Sequence, residues 1–129
     1  MSPTESRSEP CVVLTVDDSR TMRDMLRLAL TDAGFKVLEA EDGQHGLEVL
    51  RESAPDVIVT DINMPRLDGY GFIEGVRADP QRRTIPILVL STESSPEKKL
   101  RAREAGASGW IVKPFSPEKL VAAIRRVAA

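Results

Sequence analysis

At 129 residues the chain has room for one ordinary domain. Apolar residues make up 41% and charged residues 29%, with one Trp, one Tyr and three Phe, which excludes a disordered chain and predicts an aliphatic core. A net charge of -2 and a pI near 5.5 argue against nucleic-acid binding, and no run approaches the ~18 apolar residues of a membrane span.

Residues 1–10 are polar, carry two prolines and lack the apolar stretch of a signal peptide. They read as a disordered leader ahead of one domain over 11–129, and the chain is expected in the cytoplasm. Cys11, the only cysteine, cannot form an internal disulfide and reads as a buried thiol at the head of the first strand, Cys11 to Val16. Ser19 caps a helix whose apolar positions, Met22, Met25, Leu26, Ala29, Leu30 and Ala33, share one face, and Gly34 stops it. Phe35 to Ala40 is the second strand. A weaker helix runs from about Gly43 to Glu52 with Leu47, Val49 and Leu50 as core positions. The only histidine, His45, lies on it and reads as an exposed structural residue.

Asp56 to Thr60 is the third strand, a β-branched run broken by Asp61, Asn63 and Pro65. Leu67-Asp68-Gly69 is a turn before a short helix ending near Ala78. Pro86 opens the fourth strand, Ile87 to Leu90. Ser95-Pro96-Glu97 starts a highly charged helix with Leu100, Ala102 and Ala105 as its apolar residues and Gly106 as its stop. Trp110 to Val112 is the fifth strand, and Ser116-Pro117-Glu118 starts a last helix that buries Leu120, Val121, Ile124 and Val127. Five strands alternate with five helices. The strands are apolar throughout, as in a parallel sheet covered on both faces, so the fold class is doubly wound α/β. In such sheets ligands bind beyond the carboxyl ends of the strands.

The residues at those ends are Asp17 and Asp18, Asp61, Ser91 and Thr92, and Lys113. Taken singly, each has a structural explanation: Asp18 or Ser19 as a helix cap, Asp61 as a turn residue, Lys113 as a solvated lysine, the hydroxyls as loop residues. Together these explanations fail, because three carboxylates within a few ångströms repel by about 4 kcal/mol per close pair at an effective dielectric of ~20. A hard divalent cation, Mg2+, relieves that repulsion through oxygen ligands. A carboxylate beside a metal, an ammonium and a hydroxyl is equipped to accept a phosphoryl group as an acyl phosphate.

Five motifs, VDDS at 16–19, TDINMP at 60–65, LDG at 67–69, PILVLST at 86–92 and AGASGWIVKPF at 105–115, occur in this order and at this spacing. The chain thereby resembles a response-regulator receiver domain, and a chemotaxis (CheY-like) response regulator in particular, over about residues 11–128. The resemblance implies a flavodoxin-like (βα)5 fold with a five-stranded parallel sheet of order 2-1-3-4-5. It implies Asp61 as phospho-acceptor, and Mg2+ held by Asp17, Asp18, Asp61 and the Asn63 backbone carbonyl. Lys113 then pairs with the phosphoryl oxygens, Ser91 is the switch hydroxyl, and Trp110 stands at an aromatic switch position where Tyr or Phe is more usual. Thr92 stands where the family carries a small residue, Asn63 and Glu93 flank the site as modulators of dephosphorylation, and Lys113-Pro114 is a cis peptide.

Function follows as an expectation: a phosphorylation-activated switch of a two-component system, catalysing only its own phosphorylation and dephosphorylation. A CheA-like histidine kinase donates to Asp61, and a phosphatase removes the group. A flagellar motor switch protein, or another protein target, reads the surface of the fourth helix, fifth strand and last helix, which carries Lys98, Lys99, Arg101, Arg103 and Lys119. No DNA-binding segment follows residue 129, so output is expected through protein contact by a monomer, with no nucleic acid and no membrane. A phosphorelay intermediate and a phosphate sink for the kinase have the same sequence requirements. An aspartyl-phosphate phosphatase fits less well, since it needs an acid two residues after the nucleophile, where this chain has Asn63.

Overall fold

In the computed structural model, residues 11–128 are described. The elements are β1 (Val12–Val16), α1 (Arg20–Asp32), β2 (Lys36–Ala40), α2 (Gly43–Arg51), β3 (Val57–Thr60), α3 (Gly69–Ala78), β4 (Ile87–Ser91), α4 (Pro96–Ala105), β5 (Gly109–Val112) and α5 (Pro117–Ala128). The sheet is wholly parallel with order β2-β1-β3-β4-β5. The leader predicted over 1–10 lies outside the described residues.

Alternate residues of each strand supply two separate cores. Val13, Val57, Val59, Leu88 and Leu90 pack with Leu26 and Leu30 of α1 and Leu120 and Ile124 of α5. Leu14, Val16, Ile58, Ile87 and Val89 pack with Leu50 of α2, Phe72, Ile73 and Val76 of α3 and Ala102 of α4. With both faces covered, β3 buries all four of its residues, which is why it reads as an unbroken apolar run. Each such side chain taken from water contributes about 1.5–3 kcal/mol before the ordering entropy is counted.

The helices start where their caps place them. Ser19, Asp42, Asp68 and Ser95 each accept a backbone N–H from the first turn of α1, α2, α3 and α4. Gly34 and Gly106 take positive φ at the ends of α1 and α4.

Several expectations are corrected. β1 begins at Val12, and Cys11 is half-buried against the α1/α5 core rather than enclosed in it. β2 begins at Lys36 and β3 at Val57, α2 ends at Arg51, and β5 begins at Gly109. β4 runs on to Ser91, so this hydroxyl terminates the strand instead of following it. Met25 is 48% exposed despite its core spacing, because Leu26 and Leu30 take the contact with the sheet. Leu100 is 56% exposed, leaving Ala102 as the buried residue of α4. Val121 and Val127 are half-buried at the margin of the α1/α5 core rather than buried. His45 is half-buried, with Nδ1 accepting the Glu41 backbone N–H at 3.1 Å.

Candidate functional site

The chain leaves β1 for β2 on one side, then returns past β1 to β3 on the other. Strand order therefore reverses between β1 and β3, where open α/β sheets leave a crevice at the carboxyl ends. The register pairs Val16 with Thr60, so the next residues, Asp17 and Asp61, emerge side by side. Carboxylate oxygens of Asp17, Asp18 and Asp61 lie within 4.8 Å of one another. Lys113, following β5, spans the end of β4 and inserts its ammonium between two of these acids. Its Nζ donates to Asp61 Oδ2 at 2.8 Å and to Asp17 Oδ2 at 3.0 Å.

The surroundings of the three acids differ. Asp17 is buried, Asp61 half-buried and Asp18 exposed. Burial raises the Asp17 carboxyl above its ordinary value, although the Ser19 backbone N–H and the Lys113 ammonium both act to lower it. Burial also opposes the charge on Lys113, but the hydrogen bonds to Asp61 and Asp17 outweigh it and hold the ammonium above the ordinary lysine value. The ammonium gains from the pairing while the Asp17 carboxylate retains a net cost. One ammonium thus faces three carboxylates and contacts two of them. An all-oxygen trio with one exposed member fits a hard divalent ion that keeps part of its water shell.

The rest of the site is built from loop backbone. Asp61 Oδ1 accepts the Ile62 N–H at 2.6 Å, fixing the carboxylate against the loop that follows it. Gly69 N–H donates to the Ile62 carbonyl at 2.8 Å and closes that loop. A Cβ at Gly69 would overlap the Asp61 carbonyl oxygen, so the approach requires glycine. Arg23 Nη1 donates to the Asp17 carbonyl at 2.6 Å and steadies the loop after β1.

Ser91 is fully buried, and its Oγ accepts the Glu93 N–H at 3.2 Å. Thr92 and Asn63 are exposed. Lys98 first, with a smaller contribution from Asn63, holds the Glu93 carboxyl below the ordinary range, and the Lys98 ion pair measures 2.9 Å. Trp110 packs on the α2–α4 side of the sheet, and its Nε1 donates to the Glu93 carbonyl at 2.9 Å. Lys113-Pro114 is cis.

The structure thus brings Asp17, Asp18, Asp61 and Lys113 together and links Ser91 at the end of β4, Glu93 of the loop after it and Trp110 of β5 by hydrogen bonds. The basic residues are dispersed in role: Lys98 pairs with Glu93, and Arg101 covers the Tyr70 ring at 4.0 Å. Sequence reasoning did not find Arg23 or the pair formed by Asp42 and Arg66. Asp42 is the N-cap residue of α2. Nothing in the sequence signalled that Arg66 would take positive φ and reach it.

The fold and the acidic pocket at its switch point place the chain in the response regulator receiver domain family, whose model matches residues 13–125, and the chain belongs to that family. Within the two-component regulators it is CheY-like. It is 37% identical over 123 residues to a probable chemotaxis protein CheY of Rhizobium etli, covering 95% of each chain. It is 45% identical to the solved chemotaxis response regulator CheY4 of Vibrio cholerae, with a TM-score of 0.86 over 92% of this chain and 98% of that one. A probable transcriptional regulator ycf27 of Guillardia theta is 39% identical over 115 residues, and there the chain spans 44% of the relative's length.

Proposed function

We propose that this chain is a phosphorylation-controlled signalling switch, with residues 11–129 acting as one receiver unit in the cytoplasm. A histidine kinase presents a phosphohistidine to the pocket. An Asp61 carboxylate oxygen attacks phosphorus, the phosphorus–nitrogen bond breaks, and the imidazole leaves with the electron pair, giving an acyl phosphate. The observation that carries this reading is Lys113 Nζ lying between Asp61 and Asp17, with Asp18 completing an acid trio within 4.8 Å.

Asp17, Asp18, Asp61 and the Asn63 carbonyl would hold Mg2+, which when bound neutralises charge on the phosphoryl oxygens. Lys113 then exchanges its contact with the Asp61 carboxylate for one with the incoming oxygens, and Ser91 turns its hydroxyl towards the same group. Glu93 and Asn63 stand at the mouth, where they govern the approach of the hydrolytic water. Trp110 and the surface of α4, β5 and α5 carry the change to a protein partner.

Transfer from a phosphorylated kinase domain to Asp61→Asn tests the chemistry. The variant is expected to accept no phosphoryl group, and transfer at the wild-type rate would refute the assignment. For the output we propose a flagellar motor switch protein, with phosphorelay and phosphate-sink roles as the competing outcomes. Beryllofluoride-treated protein should retain a motor-switch fragment that untreated protein releases. Retention of a second phosphotransfer domain instead would favour the relay.

A further inference from the structure

Asp42 and Arg66 form a second charged pair, one step removed from the acid trio. Asp42 is 3% exposed and caps α2, accepting the His45 N–H at 2.8 Å. Both of its oxygens also accept from Arg66, Oδ2 from Nε at 2.8 Å and Oδ1 from Nη2 at 3.1 Å, the two-pronged geometry in which guanidinium fixes orientation as well as distance. Burial alone would raise the Asp42 carboxyl; the Arg66 and His45 hydrogen bonds outweigh it and hold it below the ordinary range.

Arg66 has φ of 66°, a left-handed conformation that disfavours any residue with a Cβ. It persists because its surroundings over-determine it. The Leu67 N–H donates to the Pro65 carbonyl at 2.7 Å, the Gly43 N–H at the start of α2 donates to the Leu67 carbonyl at 3.0 Å, and Arg66 grips Asp42. Gly43 lies so close that a Cβ there would overlap the Leu67 carbonyl oxygen. The N-terminus of α2 is therefore clamped to residues 66–67.

The clamped segment is the far end of the loop that starts at Asp61. Its near end provides the Ile62 N–H that fixes Asp61 Oδ1 and the Asn63 carbonyl assigned above to the metal. Met64 packs against the α2–α4 core, and Gly69 closes the loop back onto Ile62. Anchored at Ile62–Gly69 and at Arg66–Asp42, the loop has little freedom to move Asn63 independently.

We propose that the Asp42–Arg66 pair is a positioning device for the loop after β3, setting the Ile62 N–H and the Asn63 carbonyl for Asp61 and its metal. Neither side chain touches the reacting atoms. This role rests on the proposed phospho-acceptor reading and adds to it a determinant of cation affinity on an adjacent helix. Outer partners that orient metal ligands carry about 10–100-fold in metal affinity. A partner acting through one loop belongs at the low end of that range.

Mg2+ titration by calorimetry, with thermal unfolding in the absence of metal, tests this on Asp42→Asn and Arg66→Gly. Asn keeps the cap acceptor but loses the charge, and Gly removes the guanidinium while accepting positive φ, so both variants are chosen to fold. Both should bind Mg2+ about tenfold more weakly and accept phosphoryl more slowly from a small-molecule donor. The double variant should be no weaker than either single one, since the two residues act as a unit. Arg66→Lys, which keeps charge without the fork, should fall between. Ile124→Val, a destabilising change on α5, should leave Mg2+ affinity unchanged. Mg2+ affinities within twofold of wild type in both Asp42→Asn and Arg66→Gly overturn the positioning role while leaving the acceptor reading intact. A wild-type protein that binds no Mg2+ overturns both.

Discussion

Replacing Lys113 with Met keeps most of the side chain's length and removes its charge. The ammonium is 11% exposed, its partners Asp17 and Asp61 are 3% and 12% exposed, and the contacts measure 3.0 and 2.8 Å. At ~3 Å and an effective dielectric of ~20, each attraction amounts to about 5 kcal/mol, most of it offset by desolvation. Removing one partner of a buried pair costs about 3–5 kcal/mol, because the remaining charges stay buried without compensation. Against a total stability of about 5–15 kcal/mol the variant should still fold. With a urea slope of about 2 kcal/mol per molar, its midpoint at pH 7 without metal should drop by about 2 M. Two rescues follow. Mg2+ at about 100 times its dissociation constant restores about 2.7 kcal/mol, since the ion takes over the compensation of the acids. Acid also rescues. Burial raises the Asp17 carboxyl in the folded state, and loss of Lys113 removes two influences that lower it. A carboxyl with a raised folded value contributes stability that is complete below its unfolded value and is lost as pH rises through the folded one. Lys113→Met should therefore gain stability relative to wild type as pH falls from neutrality towards the ordinary carboxylate range. A midpoint equal to wild type at pH 7, or a deficit indifferent to both Mg2+ and pH, would refute the reasoning.

Two further substitutions probe the frame around the site. Gly69→Ala should destabilise by about 3 kcal/mol in thermal unfolding, at the upper end of overpacking costs, because its Cβ meets the backbone of Asp61 and Ile62, which cannot turn aside; an increase in melting temperature from the better helix former would overturn this. Trp110→Phe keeps the aromatic packing but leaves the Glu93 carbonyl without its indole donor, for an expected loss of about 1 kcal/mol by chemical denaturation followed by circular dichroism. A variant as stable as wild type would show that the bond contributes nothing.

The strands and the site were legible in the sequence for one reason. A parallel sheet covered on both faces makes its inner strands near-continuous apolar runs, while the edge strand β2 carries Lys36 and Glu39, and the first charged residue after such a run lies at the carboxyl rim. Asp17, Asp61 and Lys113 could thus be assigned to one place without knowing a single distance. Ser91 was harder, because a buried hydroxyl that ends a strand looks the same in sequence as one that follows it. Helical periodicity defined the stripe on α1 but not which edge of the stripe meets the sheet; Met25 lies one position from Leu26 and points away. The Asp42–Arg66 pair was out of reach. It joins residues 24 positions apart through a backbone conformation that arginine seldom adopts, and only the folded packing of α2 against the loop after β3 brings them together.

Glu93 is where the site's geometry meets the surface. Its N–H donates to Ser91 Oγ, its carbonyl accepts from Trp110, and its carboxylate is held by Lys98 of α4. On the proposed reading, a Ser91 hydroxyl drawn to a phosphoryl group weakens the first of these contacts, and a phosphoryl oxygen near the mouth repels the Glu93 carboxylate. Each neutral hydrogen bond is worth about 1 kcal/mol net, so the two made by the Glu93 backbone, altered together, fall within the about 1–3 kcal/mol that couples distant sites in regulatory proteins. What resists the change is the packing of α4, and Ala102 is the residue it buries. A helix so lightly anchored, tied at its first turn to the loop that starts at Ser91, can be repositioned by a coupling of that size, whereas α1, held by Leu26 and Leu30, cannot.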